Sequence, residues 1–99
     1  MNLVRQIYSP AIGKAGELRS TLEEATRNFQ EKGYRVNLYL KVVSDDGPTL
    51  VVNGVYDNLE AFEKARDQLL SDPAYRELQE KVAPLMRKPL GVELFNVLR

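Results

Sequence analysis

Residues 13–33, GKAGELRSTLEEATRNFQEKG, carry Ala15, Leu18, Leu22, Ala25 and Phe29 at alternating spacings of three and four. On a period of about 3.6 residues those spacings fall on one face, so the segment reads as an amphipathic helix with a single apolar stripe. A stripe of that width is stable only against another apolar surface. The helix is expected to stop at Lys32-Gly33, where a basic residue meets the helix dipole and glycine suits the left-handed C′ position.

The segments on either side supply the surface. Upstream, Leu3 to Tyr8 is a short β-prone run closed by Ser9-Pro10, with Pro10 and Gly13 forming the turn into the helix. Downstream, Tyr34 to Val43 alternates, with Tyr34, Val36, Leu38, Leu40 and Val42 on one face and Arg35, Asn37, Tyr39 and Lys41 on the other. Ser44-Asp45-Asp46-Gly47-Pro48 is dense in turn formers, and Thr49 to Asp57 is again strand-like, which makes a β-hairpin. Pairing Val43 with Thr49 sets Leu40 opposite Val52, Leu38 opposite Gly54 and Val36 opposite Tyr56, all on one apolar face. The opposite face then carries Asn37, Tyr39, Lys41, Val51, Asn53 and Val55.

A second helix is expected from an N-cap at Asp57 or Asn58, with Leu59, Phe62, Ala65 and Leu69 as its stripe. Ser71-Asp72-Pro73 breaks it, and Asp72 is suited to cap a new helix that has Pro73 at its first position. Tyr75, Leu78, Val82 and Leu85 continue the apolar spacing, with Tyr75 and Met86 read as core, until Pro84 and Pro89 end it. Gly91 to Leu98 forms a fourth strand.

The resulting order, βαββαβ, is an α+β ferredoxin-like sandwich: one domain over residues 1–99, its four-stranded antiparallel sheet covered by helices on one face. The uncovered face mixes Tyr39, Val51, Val55 and Phe95 with Arg and Asn side chains. Such a face exceeds the apolar patch a monomer usually exposes, so a second copy of the chain is the expected cover. Two sheets packed face to face make a dimeric α/β barrel and enclose a space between the sheets, or between sheet and helices.

Composition narrows the chemistry. Lys plus Arg and Asp plus Glu are balanced at 14 each, with no run of like charge, so neither nucleic acid nor a membrane surface is an expected partner. Cysteine is absent, which removes disulfides, thiolate metal sites and a cysteine nucleophile. Histidine is absent as well, and with it the usual general base, the Ser-His-Asp arrangement and the commonest haem and zinc ligand. Glu23-Glu24 and Asp45-Asp46 are adjacent carboxylates that do not converge on a point, and Gly13-Lys14-Ala15-Gly16 lacks phosphate-loop spacing. No metal and no cofactor are expected. Neither the opening MNLVRQIYSPAIGK nor any later stretch has a long apolar run, so no signal peptide or membrane span is expected, and a cytoplasmic location is.

Arg5-Gln6-Ile7-Tyr8 followed by Pro10, Gly13-Lys14 and a long helix resembles the opening of NIPSNAP-type domains. Val55-Tyr56-Asp57-Asn58-Leu59-Glu60-Ala61-Phe62 and Ser71-Asp72-Pro73-Ala74-Tyr75 resemble the third strand and broken second helix of the dimeric α/β-barrel superfamily. That superfamily includes antibiotic-biosynthesis-type monooxygenases that work without a bound cofactor, haem-degrading oxygenases and lactone isomerases. The chain departs from it by one extra residue between Arg5 and Tyr8, by lacking the histidine of haem-handling members, and by lacking the tryptophan of some monooxygenase sites. The resemblance implies a homodimer holding a small phenolic or enolic compound in an inter-sheet pocket, as a cofactor-independent monooxygenase or isomerase. The alternative is a non-catalytic dimerisation or ligand-carrier module.

The candidate pocket residues are Arg5, Tyr8, Asn37, Tyr39, Asn53 and Glu93. An oxygenase of this kind holds a phenol or enol and stabilises its anion with donors in a dry site. Arg5 offers permanent charge, Asn37 and Asn53 neutral donors, and Tyr8 or Tyr39 a hydroxyl with an aromatic wall. Each also has a structural reading. Arg5 would pair with Glu93 across the sheet, the two asparagines would satisfy an interface, and Tyr39 would pack there with its hydroxyl at the rim. Gly54 marks a bulge, a close backbone approach or a pocket.

Overall fold

Strand β1 (Asn2–Tyr8) lies inside a four-stranded antiparallel sheet of order β2-β3-β1-β4, with β2 at Val36–Lys41, β3 at Thr49–Tyr56 and β4 at Gly91–Asn96. The computed structural model describes residues 1–42 and 47–98. Helix α1 (Ala15–Glu31) follows β1, while α2 (Leu59–Leu70) and α3 (Pro73–Val82) connect β3 to β4, with a 3-10 turn at Ala83–Leu85. The expected α+β ferredoxin-like architecture is present. Its second helix is broken into α2 and α3 where Asp72-Pro73 was expected to break it.

Local chemistry accounts for the boundaries. At the end of α1, Gly33 takes φ 96°, its N–H bonds the Gln30 carbonyl (3.0 Å), and the Tyr34 N–H bonds the Phe29 carbonyl (3.1 Å). This paired closure needs glycine at the left-handed position, and the Phe29 and Tyr34 rings seal it edge-on at 5.5 Å. Asn58, rather than Asp57, caps α2 by accepting from the Ala61 N–H at 2.8 Å. Asp72 caps α3 by accepting from the Ala74 N–H at 3.0 Å, with Pro73 at the first position, where its missing N–H is not needed.

The hairpin register differs from expectation by two residues. Lys41 faces Thr49, Leu40 faces Leu50, Leu38 faces Val52 and Val36 faces Gly54. The connection is therefore wider than a tight turn between Val43 and Thr49; Val43, Ser44, Asp45 and Asp46 lie outside the described residues. A slip of two preserves parity, so the same side chains still share each face.

Tyr8, Leu18, Leu22, Leu50, Val82 and Leu85 form the buried core, with Leu38, Val52, Leu78, Met86 and Leu90 packed around it. Ser9 and Arg87 clip its edge through an Arg87 N–H to Ser9 carbonyl bond (3.0 Å), beside the bridge between Pro10 and Met86. In α1 the buried stripe is Leu18, Leu22, Thr26 and Phe29, whereas Ala15 is exposed. Helix α2 contributes no buried side chain at all. The sandwich is thus packed solid at the Tyr8 end of β1 and loosely closed at the other.

Candidate functional site

Beneath α2 the loose end opens into a hollow of about 220 Å³ between sheet and helices. Alternation along the strands sends Val4 and Gln6 from β1, Val52, Gly54 and Tyr56 from β3, and Val36 from β2 to this face. From above, Phe62, Arg66 and Leu69 of α2 and Tyr75 of α3 complete the walls. Gln6, Val36, Val52, Leu69 and Tyr75 also line a narrow cleft of about 30 Å³ that runs on toward Leu22 and Phe29 of α1.

At the inner end, Gln6 Nε2 donates to the Tyr75 hydroxyl at 3.0 Å. That hydroxyl already accepts, so its own proton is available to an acceptor in the hollow. Burial pushes the Tyr75 phenol above its ordinary value of 10.0, against the Gln6 bond, which lowers it. Tyr56 is likewise raised, chiefly by burial and next by Tyr34, with Arg35 pulling the other way. Both phenols are therefore neutral donors at pH 7. Tyr56 lies folded back along its own strand: a Cβ on Gly54 would stand 2.9 Å from the Tyr56 hydroxyl oxygen. Gly54 thus borders the hollow, and what lies close against it is the Tyr56 side chain rather than another stretch of backbone. The Tyr56 ring also meets Phe62 edge-on at 5.6 Å.

Tyr56 separates the hollow from an outer groove of about 390 Å³ between the end of α1 and α2. Two ion pairs cross the groove region, Lys32 to Asp72 at 3.0 Å and Arg35 to Asp57 at 3.6 Å. The Lys32 bond holds the Asp72 carboxyl below its ordinary value, helped by the Ala74 N–H. Among the described residues no group of His, Cys, Asp and Glu is arranged to hold a metal ion.

The six residues singled out in the sequence divide between two faces. Arg5, Asn37, Asn53 and Glu93 share the helix-free face with Tyr39, and Arg5 pairs in register with both Asn53 and Glu93. The Arg5 guanidinium lies over the Phe95 ring at 4.8 Å, while Asn37 Oδ1 receives a long contact from Gln30 Nε2 at 3.5 Å. Asn53 Oδ1 is buried without a hydrogen-bond partner among the described residues. Tyr8 is not with them. It stands three residues from Arg5, an odd spacing that sends it to the helix face, where it is 1% exposed and accepts from Gln79 Nε2 at 3.1 Å. Burial pushes its phenol up to about 12 despite the Gln79 bond, so Tyr8 is a core residue with a satisfied hydroxyl.

Sequence reasoning missed Gln6, Tyr56, Phe62 and Arg66 as cavity residues, and Tyr75 as more than core. Gln6 carried a signal: it lies between Val4 and Tyr8 on the inward parity of β1, where an amide needs a partner.

No protein-family model matches the chain, and no curated protein matches it in sequence. Solved structures do match over nearly its full length. An uncharacterized NIPSNAP domain protein from Burkholderia xenovorans aligns with TM-score 0.79 and 14% identity, over 98% of this chain and 94% of that one. Rv0793 from Mycobacterium tuberculosis aligns with TM-score 0.70 and 21% identity, over 99% and 95%. An antibiotic biosynthesis monooxygenase aligns with TM-score 0.71 and 12% identity over 100% of each chain. The likeness is one of fold: this chain has the α+β sandwich of NIPSNAP domain proteins and antibiotic biosynthesis monooxygenases.

Proposed function

We propose that this chain is a NIPSNAP-like small-molecule-binding domain that holds a compact, partly aromatic phenol or enol in the hollow beneath α2. One observation carries the reading: a helix with no buried side chain spans a hollow of about 220 Å³ that ends on the Gln6–Tyr75 pair. At ~30 Å³ for each water in the liquid, that space suits a one-ring molecule. Mostly apolar walls with one or two convergent polar groups are what small-molecule sites are made of.

The open sheet face is the dimer surface in this reading. Tyr39 and Phe95 are exposed there, and a second copy would take them out of water. Arg5, Asn37 and Glu93 then serve the interface between the two sheets.

The finer activity is cofactor-independent monooxygenation. The neutral Tyr75 and Tyr56 hydroxyls donate to a phenolate oxygen, and the anion supplies the electrons: a phenol and dioxygen give a quinone and water, in balance. A non-catalytic carrier is the second reading, favoured by the absence of any carboxylate from the hollow's lining among the described residues. Amide chemical-shift mapping with added phenols tests the site, and oxygen uptake separates the two readings. Shifts confined to Gln6, Gly54, Phe62 and Tyr75 with oxygen uptake support the enzyme; the same shifts without uptake support the carrier. Shifts elsewhere, or none, overturn the site.

A further inference from the structure

Among the described residues the hollow has one formally charged side chain in its lining, Arg66, which is exposed, as are Leu70 of α2 and Val92 of β4 in the same lining. The Arg66 guanidinium lies over the Phe62 ring at 5.6 Å, and Phe62 in turn meets Tyr56. Its ion pair with the neighbouring Asp67 is long, 3.6 Å, and both side chains are about half or more exposed. A pair of that kind is worth little in water and yields readily to a better anion. Moving inward, the lining therefore presents a cation, then aromatic faces, then a phenol proton on Tyr75 whose oxygen is already engaged by Gln6.

Resting on the small-molecule reading above, we infer that the preferred ligand is a hydroxylated aromatic carboxylate. Its carboxylate meets Arg66 at the rim, its ring lies against Phe62 and Tyr56, and its hydroxyl oxygen accepts from Tyr75. A planar guanidinium binds a planar carboxylate through two parallel N–H bonds, which an ammonium cannot reproduce. The absence of any carboxylate from the lining of the hollow, among the described residues, leaves nothing inside it to repel the anion.

Calorimetry on the full chain with 4-hydroxybenzoate and its neutral amide, 4-hydroxybenzamide, tests the inference. The acid is expected to bind tighter by on the order of tenfold, with the preference shrinking as salt is added. Arg66→Gln is expected to bring the acid-to-amide affinity ratio to about one, and Arg66→Lys to retain part of the preference. Arg66 is exposed, so neither variant threatens folding. Equal affinity for acid and amide, or a preference that survives Arg66→Gln, overturns the carboxylate assignment and leaves the binding reading standing. Failure of both compounds to bind overturns both.

Discussion

Gln6 and Tyr75 meet across 3.0 Å where the packed half of the sandwich gives way to the hollow half, so their hydrogen bond ties β1 to α3 at the inner wall of the cavity. Tyr75 also packs edge-on against Phe29 of α1 at 6.4 Å, which fixes the ring while its hydroxyl faces Gln6.

Tyr75→Phe should keep that packing and lose the bond. The expected cost is about 1 kcal/mol in urea unfolding, since Gln6 is half-buried and loses its partner. Phenol binding should weaken with it.

Tyr8 makes stability sensitive to alkali. Below pH 10 its phenol is neutral in both the folded and the unfolded chain; above pH 10 the unfolded chain ionises while the folded one does not, until about pH 12. Unfolding is therefore favoured progressively between those values, by about 3 kcal/mol at 1.36 kcal/mol for each pH unit. Tyr56 and Tyr75, raised in the same direction, add to the slope. Unfolding free energies from pH 9 to 12 check this, and Tyr8→Phe should flatten the decline.

Asp72 joins three elements: it caps α3, donates its N–H to the Leu69 carbonyl at the end of α2 (3.1 Å) and pairs with Lys32 beyond the end of α1. Asp72→Ala should lower the urea midpoint of unfolding through the lost cap. Because the folded carboxyl titrates below its ordinary value of 3.8, its contribution is present above that pH and lost as the pH falls through the folded value. An acid titration of stability should show a smaller decline in Asp72→Asn.

Gly54→Ala should move the Tyr56 ring rather than the backbone. The new Cβ meets the hydroxyl end of a flexible side chain at 2.9 Å, so the chain folds and the ring swings off Gly54. The ring-proton shifts of Tyr56 and Phe62 should change together, with a stability loss of roughly 1 kcal/mol or less.

Most of the architecture was legible because periodicity is a local property. The stripe Leu18, Leu22, Phe29, the alternation of β2 and β3, the Asp72-Pro73 break and the Gly33 stop each follow from neighbouring residues. The hairpin register was not, since it depends on how many residues the connection spends before pairing begins. The candidate site was legible in part: alternation along the hairpin put Asn37, Tyr39 and Asn53 on one face, whereas the face taken by Arg5, Tyr8 and Glu93 depends on how β1 and β4 join the sheet, and only the structure gives that register. The hollow was not legible, because Phe62, Ala65 and Leu69 have the composition of a packed stripe. Only tertiary geometry leaves them half-buried above a gap.

In the proposed function the sheet has two different jobs, a ligand hollow on one face and a second copy on the other. Molar mass by light scattering across a dilution series tests this most directly. A mass near twice the 11.3 kDa chain, stable on dilution, is the predicted result. A mass equal to one chain at every concentration, with the protein still in solution, contradicts it, because Tyr39 and Phe95 would then stand in water on an uncovered sheet face.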